Sequence, residues 1–479
     1  FWKSNPYLDQ HYTGEDNALH PQWVLIDLGK EQPVNAIKIA WAMPYATNYF
    51  FEYGVGKLAG PEAAYLRGER AQMWRAFPAR AVHQANSGDA LTRLSASPIA
   101  VRFVRITMTH SSGAPPPNSS DVRDGLGYAI RELYLGTVDD AGNFHDLIRH
   151  ARDHDRQTVI HVSSTDPWHR AIDKDERTEQ PGLDRVFSSG LTNGLPMLTA
   201  VPLLYDTPEN AAALIRYLQS RQFSVEQIEM GEEPEGQYIT PEDYAALYAQ
   251  WADAIHKIAS GLRLGGPCFA ALDATPQPDL NQQSSRSWMK RFLDAMAIHG
   301  HTEDFKFFSF EWYPFDEACA ASAPQLAAAP GMLATAIHEM GLSGLSRQIP
   351  WLMTEYGYSA FAAEAEVDLA GALLNAEIVG QFLTLGGNAA YLYGYEPNEL
   401  ISELRCTWGN NMLFLRDENG RARSPLATYY GARLLTQEWA QATDLPHRVY
   451  PSSSDIQNET GQPLVTAYAV HRPDGLWAL

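Results

Sequence analysis

The chain has 479 residues, too many for one ordinary domain, and its 45% apolar and 11% aromatic content supplies sizeable cores and excludes a disordered class. A formal charge of −21 argues against a phosphate-binding surface, which needs clustered Lys and Arg, so neither nucleic acid nor an anionic membrane is expected as partner. Three cysteines (Cys268, Cys319, Cys406) lie far apart without metal-type spacing, which excludes a disulfide scaffold and gives no zinc signal, and no run of 18 apolar residues could span a membrane.

Residues 1 to about 138 carry strand rhythm. Trp23-Val24-Leu25-Ile26-Asp27-Leu28, Val34 to Trp41, Val101 to Met108 and Tyr128 to Leu135 alternate as half-buried strands do, with turn clusters between them, including the Pro-rich stretch 111–120. This predicts an antiparallel sandwich. Residues 139–157 are polar and rich in His and Asp, and read as a linker.

From Thr158 strands and helices alternate. Strands are predicted at 158–162, 197–204, 225–230, 264–270, 305–312, 350–355 and 388–395, with an eighth expected near 184–189. Thr207-Pro208 and Thr240-Pro241-Glu242-Asp243 are helix starts, each a capping hydroxyl followed by a first-turn proline. Alternation over 158–440 predicts an α/β fold with a parallel sheet closed into a (β/α)8 barrel. A doubly wound open sheet is the rival, but Val162 to Pro167 is not a Gly-rich phosphate loop. Residues 441–479 read as the start of a C-terminal β-domain that stops in mid-strand, so further polypeptide is expected after Leu479. The start at Phe1 without Met fits a removed leader or an upstream boundary.

Two of these strands finish on acids followed by glycine. They are Ile228-Glu229-Met230-Gly231-Glu232-Glu233-Pro234 and Leu352-Met353-Thr354-Glu355-Tyr356-Gly357. A buried strand has little reason to end on a carboxylate unless it points into a site, and barrel sites lie at the C-terminal strand ends. Two carboxyls about 5–5.5 Å apart are the equipment of retaining glycoside hydrolysis. An isolated Glu-Glu-Pro-Glu run is ordinarily a solvated turn. Paired with the second motif, it reads as half of a catalytic pair. Trp312, Tyr313, Tyr358, Tyr395 and Trp408 follow strands and together could stack on sugar faces, although any one alone is ordinarily core. His161 reads as a core histidine, and Trp168 and His169 are further candidates for the mouth. Asn118-Ser119-Ser120 and Asn458-Glu459-Thr460 match glycosylation acceptors.

Two resemblances follow from these motifs. Residues 1–138, through W-x-x-I-D-L-G-K, V-x-x-I-x-I-x-W, A-V-R-F-V-R-I and Y-A-I-R-E-L, resemble the discoidin (coagulation factor 5/8 type C) domain. That implies a jelly roll that either binds sugar through its loops or only packs on its neighbour. A structural calcium ion belongs to the resemblance, but Asp9 to Asn17 carries no clear calcium loop. Residues 158–440 resemble the large clan of retaining (β/α)8 glycoside hydrolases through Gly-Glu-Glu-Pro, Thr-Glu-Tyr-Gly and Ser309-Phe310-Glu311-Trp312-Tyr313-Pro314. This resemblance implies Glu233 as acid/base, Glu355 as nucleophile and Tyr313 as the nucleophile's hydrogen-bond donor. It implies no metal or organic cofactor for catalysis, a carbohydrate substrate, and a secreted or envelope location in a bacterium.

The chain departs from the clan at Glu232, where an Asn is usual, and at Glu311, where a His is frequent. Four acids would then crowd one mouth, which points to an unusual sugar, a furanose or a cationic one. Glu232, Glu311, Trp312, Tyr313, Tyr358 and Trp408 are the expected substrate-binding residues. A carbohydrate-binding or adhesion protein without catalysis, and a transglycosidase, remain alternatives.

Overall fold

The computed structural model describes residues 1–55, 73–167, 182–270, 272, 287–346, 348–395, 397–402, 409, 412–459 and 464–479. Ten strands make the first unit: β1 (Trp2–Lys3), β2 (Gln22–Val34), β3 (Ala36–Trp41), β4 (Ala46–Gly54), β5 (Trp74–Val82), β6 (Asp89–Arg93), β7 (Ile99–Ser111), β8 (Ala129–Val138), β9 (Phe144–Asp146) and β10 (Val159–Val162). They form two antiparallel sheets, β1-β8-β3-β6 with β9 beside β8, and β10-β2-β7-β4-β5. Alternation turns Val24 and Ile26 of β2, Ile37 and Ile39 of β3, Val104 and Ile106 of β7, and Leu133 and Leu135 of β8 into one shared core. The alternate residues of β2, Trp23 and Leu25, join Trp74 and Phe103 in a smaller cluster on the outer face. Strand β2 is therefore buried on both faces, which is why it reads as an unbroken apolar run.

The second unit is built on six parallel strands in sequence order: β11 (Met197–Val201), β12 (Val225–Met230), β13 (Arg263–Phe269), β14 (Phe305–Trp312), β15 (Trp351–Tyr356) and β16 (Ala389–Leu392). Helices α1 (Pro208–Ser220), α2 (Pro241–His256), α3 (Trp288–Ile298), α4 (Ser322–Gly341) and α5 (Leu369–Thr384) lie along the connections. The expected caps are made: the Thr207 hydroxyl accepts from the Asn210 amide, and that of Thr240 from the Asp243 amide. Trp251 of α2, Phe292 of α3, Leu333 of α4 and Phe382 of α5 pack with Ile228, Phe308 and Met353 in one large core.

Two expected barrel strands take other roles. The segment at 158–162 pairs antiparallel with β2, Ile160 opposite Ile26. It is an edge strand, with Val159 53% and Ile160 40% exposed. A four-residue apolar run carries no mark of which sheet it will join. The stretch at 184–189 is helical over Gly182–Ser188, its Leu183 and Phe187 packing on the core at i, i+4 spacing, with the Phe187 ring stacked on Phe223. Among the described residues the parallel sheet is thus six-stranded, in place of the expected closed ring of eight.

The units are docked. Tyr7 and Leu8 lie in the large core of the second unit, with Tyr7 edge-on to Trp251 at 6.0 Å. His20 bridges Asp243 of α2 at 2.6 Å and Glu15 at 2.9 Å. Tyr238, five residues past Glu233, packs on the outer aromatic cluster of the first unit and meets His161 edge-on at 5.9 Å. At the C-terminal end, β17 (Phe414–Arg416) pairs with β18 (Ala422–Pro425). Further on, β19 (Arg448–Tyr450), β20 (Ala469–His471) and β21 (Trp477–Ala478) form a three-stranded antiparallel sheet. Strands β20 and β21 are joined by a turn at Arg472 to Gly475, where Gly475 has φ +84°. No helix among the described residues is long and apolar enough to cross a membrane.

Candidate active site

Strand β14 alternates Phe308, Ser309, Phe310, Glu311, Trp312. Its even positions 308, 310 and 312 lie in the helix-side core. Ser309 and Glu311 therefore point to the opposite, inner face. The neighbouring strand β15 should place Thr354 inside and Glu355 outside. A register shift intervenes: Phe310 pairs with Met353, but Glu311 pairs with Glu355, and Trp312 with Tyr356. The extra residue lets both Thr354 and Glu355 face inward, as a bulge does. Thr354 Oγ1 lies 3.4 Å from Cys268 Sγ, and Tyr313 donates its hydroxyl to Glu355 Oε2 at 2.9 Å.

Strand β12 brings the other acids. Gly231, with φ +85°, turns the chain off the strand end, where an added Cβ would also lie 3.3 Å from Leu203. Glu233 follows with φ +44° and donates its amide to the carbonyl of Cys268 at 2.8 Å; Cys268 itself has φ +54°. Two non-glycine residues held at positive φ and bonded to each other are the strained backbone that clusters at functional sites. Glu232, Glu311 and Glu355 each offer an oxygen within 4.8 Å of the others'. Glu232 and Glu355 share a cleft of about 360 Å³ whose wall includes Val201, Leu204, Tyr205 and Glu229.

Electrostatics follow from this crowding. Burial and the charges of Glu355, Glu233 and Glu232 push Glu311 up to about 9. Burial raises Glu355 to about 7; the Tyr313 hydrogen bond opposes this, while Glu232, Glu229 and Glu233 add to it. Glu233 is raised by burial and by Glu232. Like charges this close cannot all ionise, so the site carries protons at neutral pH. Tyr313 is raised by burial and by Glu355, and stays a donor.

The sequence-predicted residues thus divide. Glu232, Glu311, Glu355 and Tyr313 are brought together, and Glu233 stands beside them at the end of β12. Trp312 faces the helices, and Tyr358 is 1% exposed, packed on Phe315 and hydrogen-bonded to Gln325, so neither offers a ring to the cleft. Both are core aromatics, on the buried side of their elements. His161 sits between the units. Tyr395 is exposed. Trp408, Trp168 and His169 lie outside the described residues. Cys319 is disulfide-bonded, whereas Cys268 is a free buried thiol.

Sequence reasoning missed Glu229. It is 7% exposed, lines the cleft, and its Oε1 has no hydrogen-bond partner among the described residues. Burial raises its pKa, against Ser309, Thr354 and Cys268. The available signal was an acid between Ile228 and Met230 inside an apolar strand. Tyr205, whose hydroxyl reaches Gln237, was also missed, and nothing local marks it.

No protein-family model matches the chain, and no curated protein matches it. Parts of it align with solved structures. A glucosidase from Croceicoccus marinus is 16% identical over 49% of this chain and 49% of its own, with TM-score 0.34. A Paenibacillus polymyxa xyloglucanase of glycoside hydrolase family 44 is 12% identical over 47% and 62%, with TM-score 0.37. A chitosan-binding module of a Paenibacillus chitosanase/glucanase is 19% identical over 24% and 69%, with TM-score 0.18. The chain spans about half of the glucosidase and under two thirds of the xyloglucanase.

Proposed function

We propose that the chain is a glycoside hydrolase of the retaining type, with Glu355 as nucleophile and Glu233 as acid/base. The observation that carries this reading is Glu355 itself, a half-buried carboxylate at the C-terminal end of a parallel strand, held by the Tyr313 hydroxyl and facing one cleft with Glu232. Glu355 attacks the anomeric carbon while Glu233 protonates the departing oxygen, leaving a glycosyl ester on Glu355. Glu233 then takes a proton from water as the ester is hydrolysed. Neither step requires a metal or an organic cofactor. Tyr313 orients the nucleophile and favours its anion. A disulfide at Cys319 supports an oxidising location, secreted or in the cell envelope.

The test is a panel of aryl glycosides, furanosides included, with mass spectrometry of a 2-fluoro-glycoside-trapped enzyme. Turnover with retention and a label on Glu355 is expected. Glu233→Ala should cost about 10²–10⁴-fold on substrates with poor leaving groups. Full activity in both Glu233→Ala and Glu355→Ala would overturn the assignment, and binding of sugars with no turnover of any glycoside would leave a carbohydrate-binding role.

A further inference from the structure

We propose that the substrate of this cleft carries a protonated amine, as an amino sugar does, and that its ammonium is received by Glu232, Glu311 and Glu355. The proposal rests on the hydrolase reading of the same cleft and names its substrate class.

Three lines of geometry converge. An ammonium has three tetrahedrally disposed N–H donors, and acceptors about 2.9 Å from one nitrogen lie about 4.7 Å from each other. The three carboxylates present oxygens within 4.8 Å of one another.

Second, Glu229 is more than nine-tenths buried, lines the cleft, and keeps one oxygen without a partner among the described residues. Such an atom ordinarily finds a donor. Third, the described cleft wall contains neither Lys nor Arg to offset these acids. A neutral sugar would leave the repulsion in place, whereas a cation relieves it. The cleft, about 360 Å³ with Val201, Pro202, Leu204 and Tyr205 on one side, has room and apolar surface for a sugar ring, which a bare ion does not need. The charge that crowding keeps off Glu311 returns when the ammonium arrives, so binding releases a proton.

The experiment is calorimetric titration of the full chain at pH 7 with a glucosamine tetrasaccharide, its N-acetylated counterpart and a glucose tetrasaccharide of the same linkage, in two buffers of different ionisation enthalpy. We expect the aminated sugar to bind at least ten-fold tighter and to release protons. That preference should disappear in Glu232→Gln and Glu311→Gln and persist in Glu303→Gln, which removes an exposed charge elsewhere. Equal affinity for the three sugars overturns the proposal. So does a preference that survives in Glu232→Gln, which reports bulk attraction to an acidic protein. Calcium that binds at these acids and is not displaced by the aminated sugar also overturns it. Preference for the amine without turnover of any glycoside overturns the hydrolase reading alone, and turnover of neutral glycosides without the preference overturns this one alone.

Discussion

Glu311 and Glu355 are direct register partners on adjacent parallel strands, although the pair before them, Phe310 and Met353, implies that Thr354 should stand opposite Glu311. One irregular step in β15 therefore places two carboxyls side by side on the inner face. Regular alternation would have sent Glu355 into the helix-side core with Met353. The energetic consequence is mutual repulsion in a buried setting, and a function that uses these acids must also manage their protons.

Among the described residues Tyr313 is the one side-chain donor to Glu355. Tyr313→Phe removes a hydrogen bond to a charged acceptor, so kcat/KM should fall at least ten-fold. The bond lowers the Glu355 pKa. The acidic limb of the pH–rate profile, which reports ionisation of Glu355 near 7, should accordingly move to higher pH. An unchanged limb would show that Tyr313 does not act on Glu355.

Glu311 binds its proton more tightly folded, at about 9, than an unfolded glutamate does. The folded state therefore holds more protons between pH about 4.5 and 9, and stability falls as pH rises through that window. Glu311→Gln keeps an acceptor for the Cys268 thiol and removes the ionisable group. Its Tm should exceed that of the parent by a few degrees at pH 8, and the two should converge near pH 4, as read by calorimetry across pH.

At the seam between the units, burial would lower the pKa of His20, but its bonds to Asp243 and Glu15 outweigh that and raise it to about 9. A raised histidine contributes stability that is full below about 6.5 and lost as pH climbs through 9. Asp243→Asn should destabilise by on the order of 3 kcal/mol at pH 6, with the difference shrinking above pH 9 in denaturant titrations. A difference independent of pH would mean that the pair is not charged.

Gly265 lies under the ring of Phe307, where a Cβ would stand 2.3 Å from Cγ. Gly265→Ala forces that ring or the β13–β14 ladder to move, at about 1–3 kcal/mol or more. Thermal unfolding should show the loss, with the proposed hydrolase activity falling alongside because Glu311 and Cys268 lie on these same two strands.

Much of this molecule is local and was legible in the chain. Strand rhythm marked the segments around Val24, Ile37 and Val104 as strands. Thr207 and Thr240 announced their helices, because a capping hydroxyl acts within three residues of itself. Glu232, Glu233 and Glu355 stood out because an acid ending an apolar strand conflicts with burial unless a site accepts it. What needed the tertiary structure was partnership. The run Val159–Val162 is as apolar as a barrel strand, yet it pairs with Ile26, and only the competing sheets decide that. Trp312 and Tyr313 are adjacent in sequence, and the pleat sends one to the core and leaves the other at the acids. The inward turn of Glu355 rests on one residue of slip against β14, and Glu229 becomes part of a site only once β12 curls beside β13 and β14. The sequence determined which groups would be present and which segments would be strands or helices, because those follow from neighbours along the chain. Which carboxylates meet, and how strongly they repel, was decided by the register between strands up to 126 positions apart (355 − 229), which no local pattern encodes.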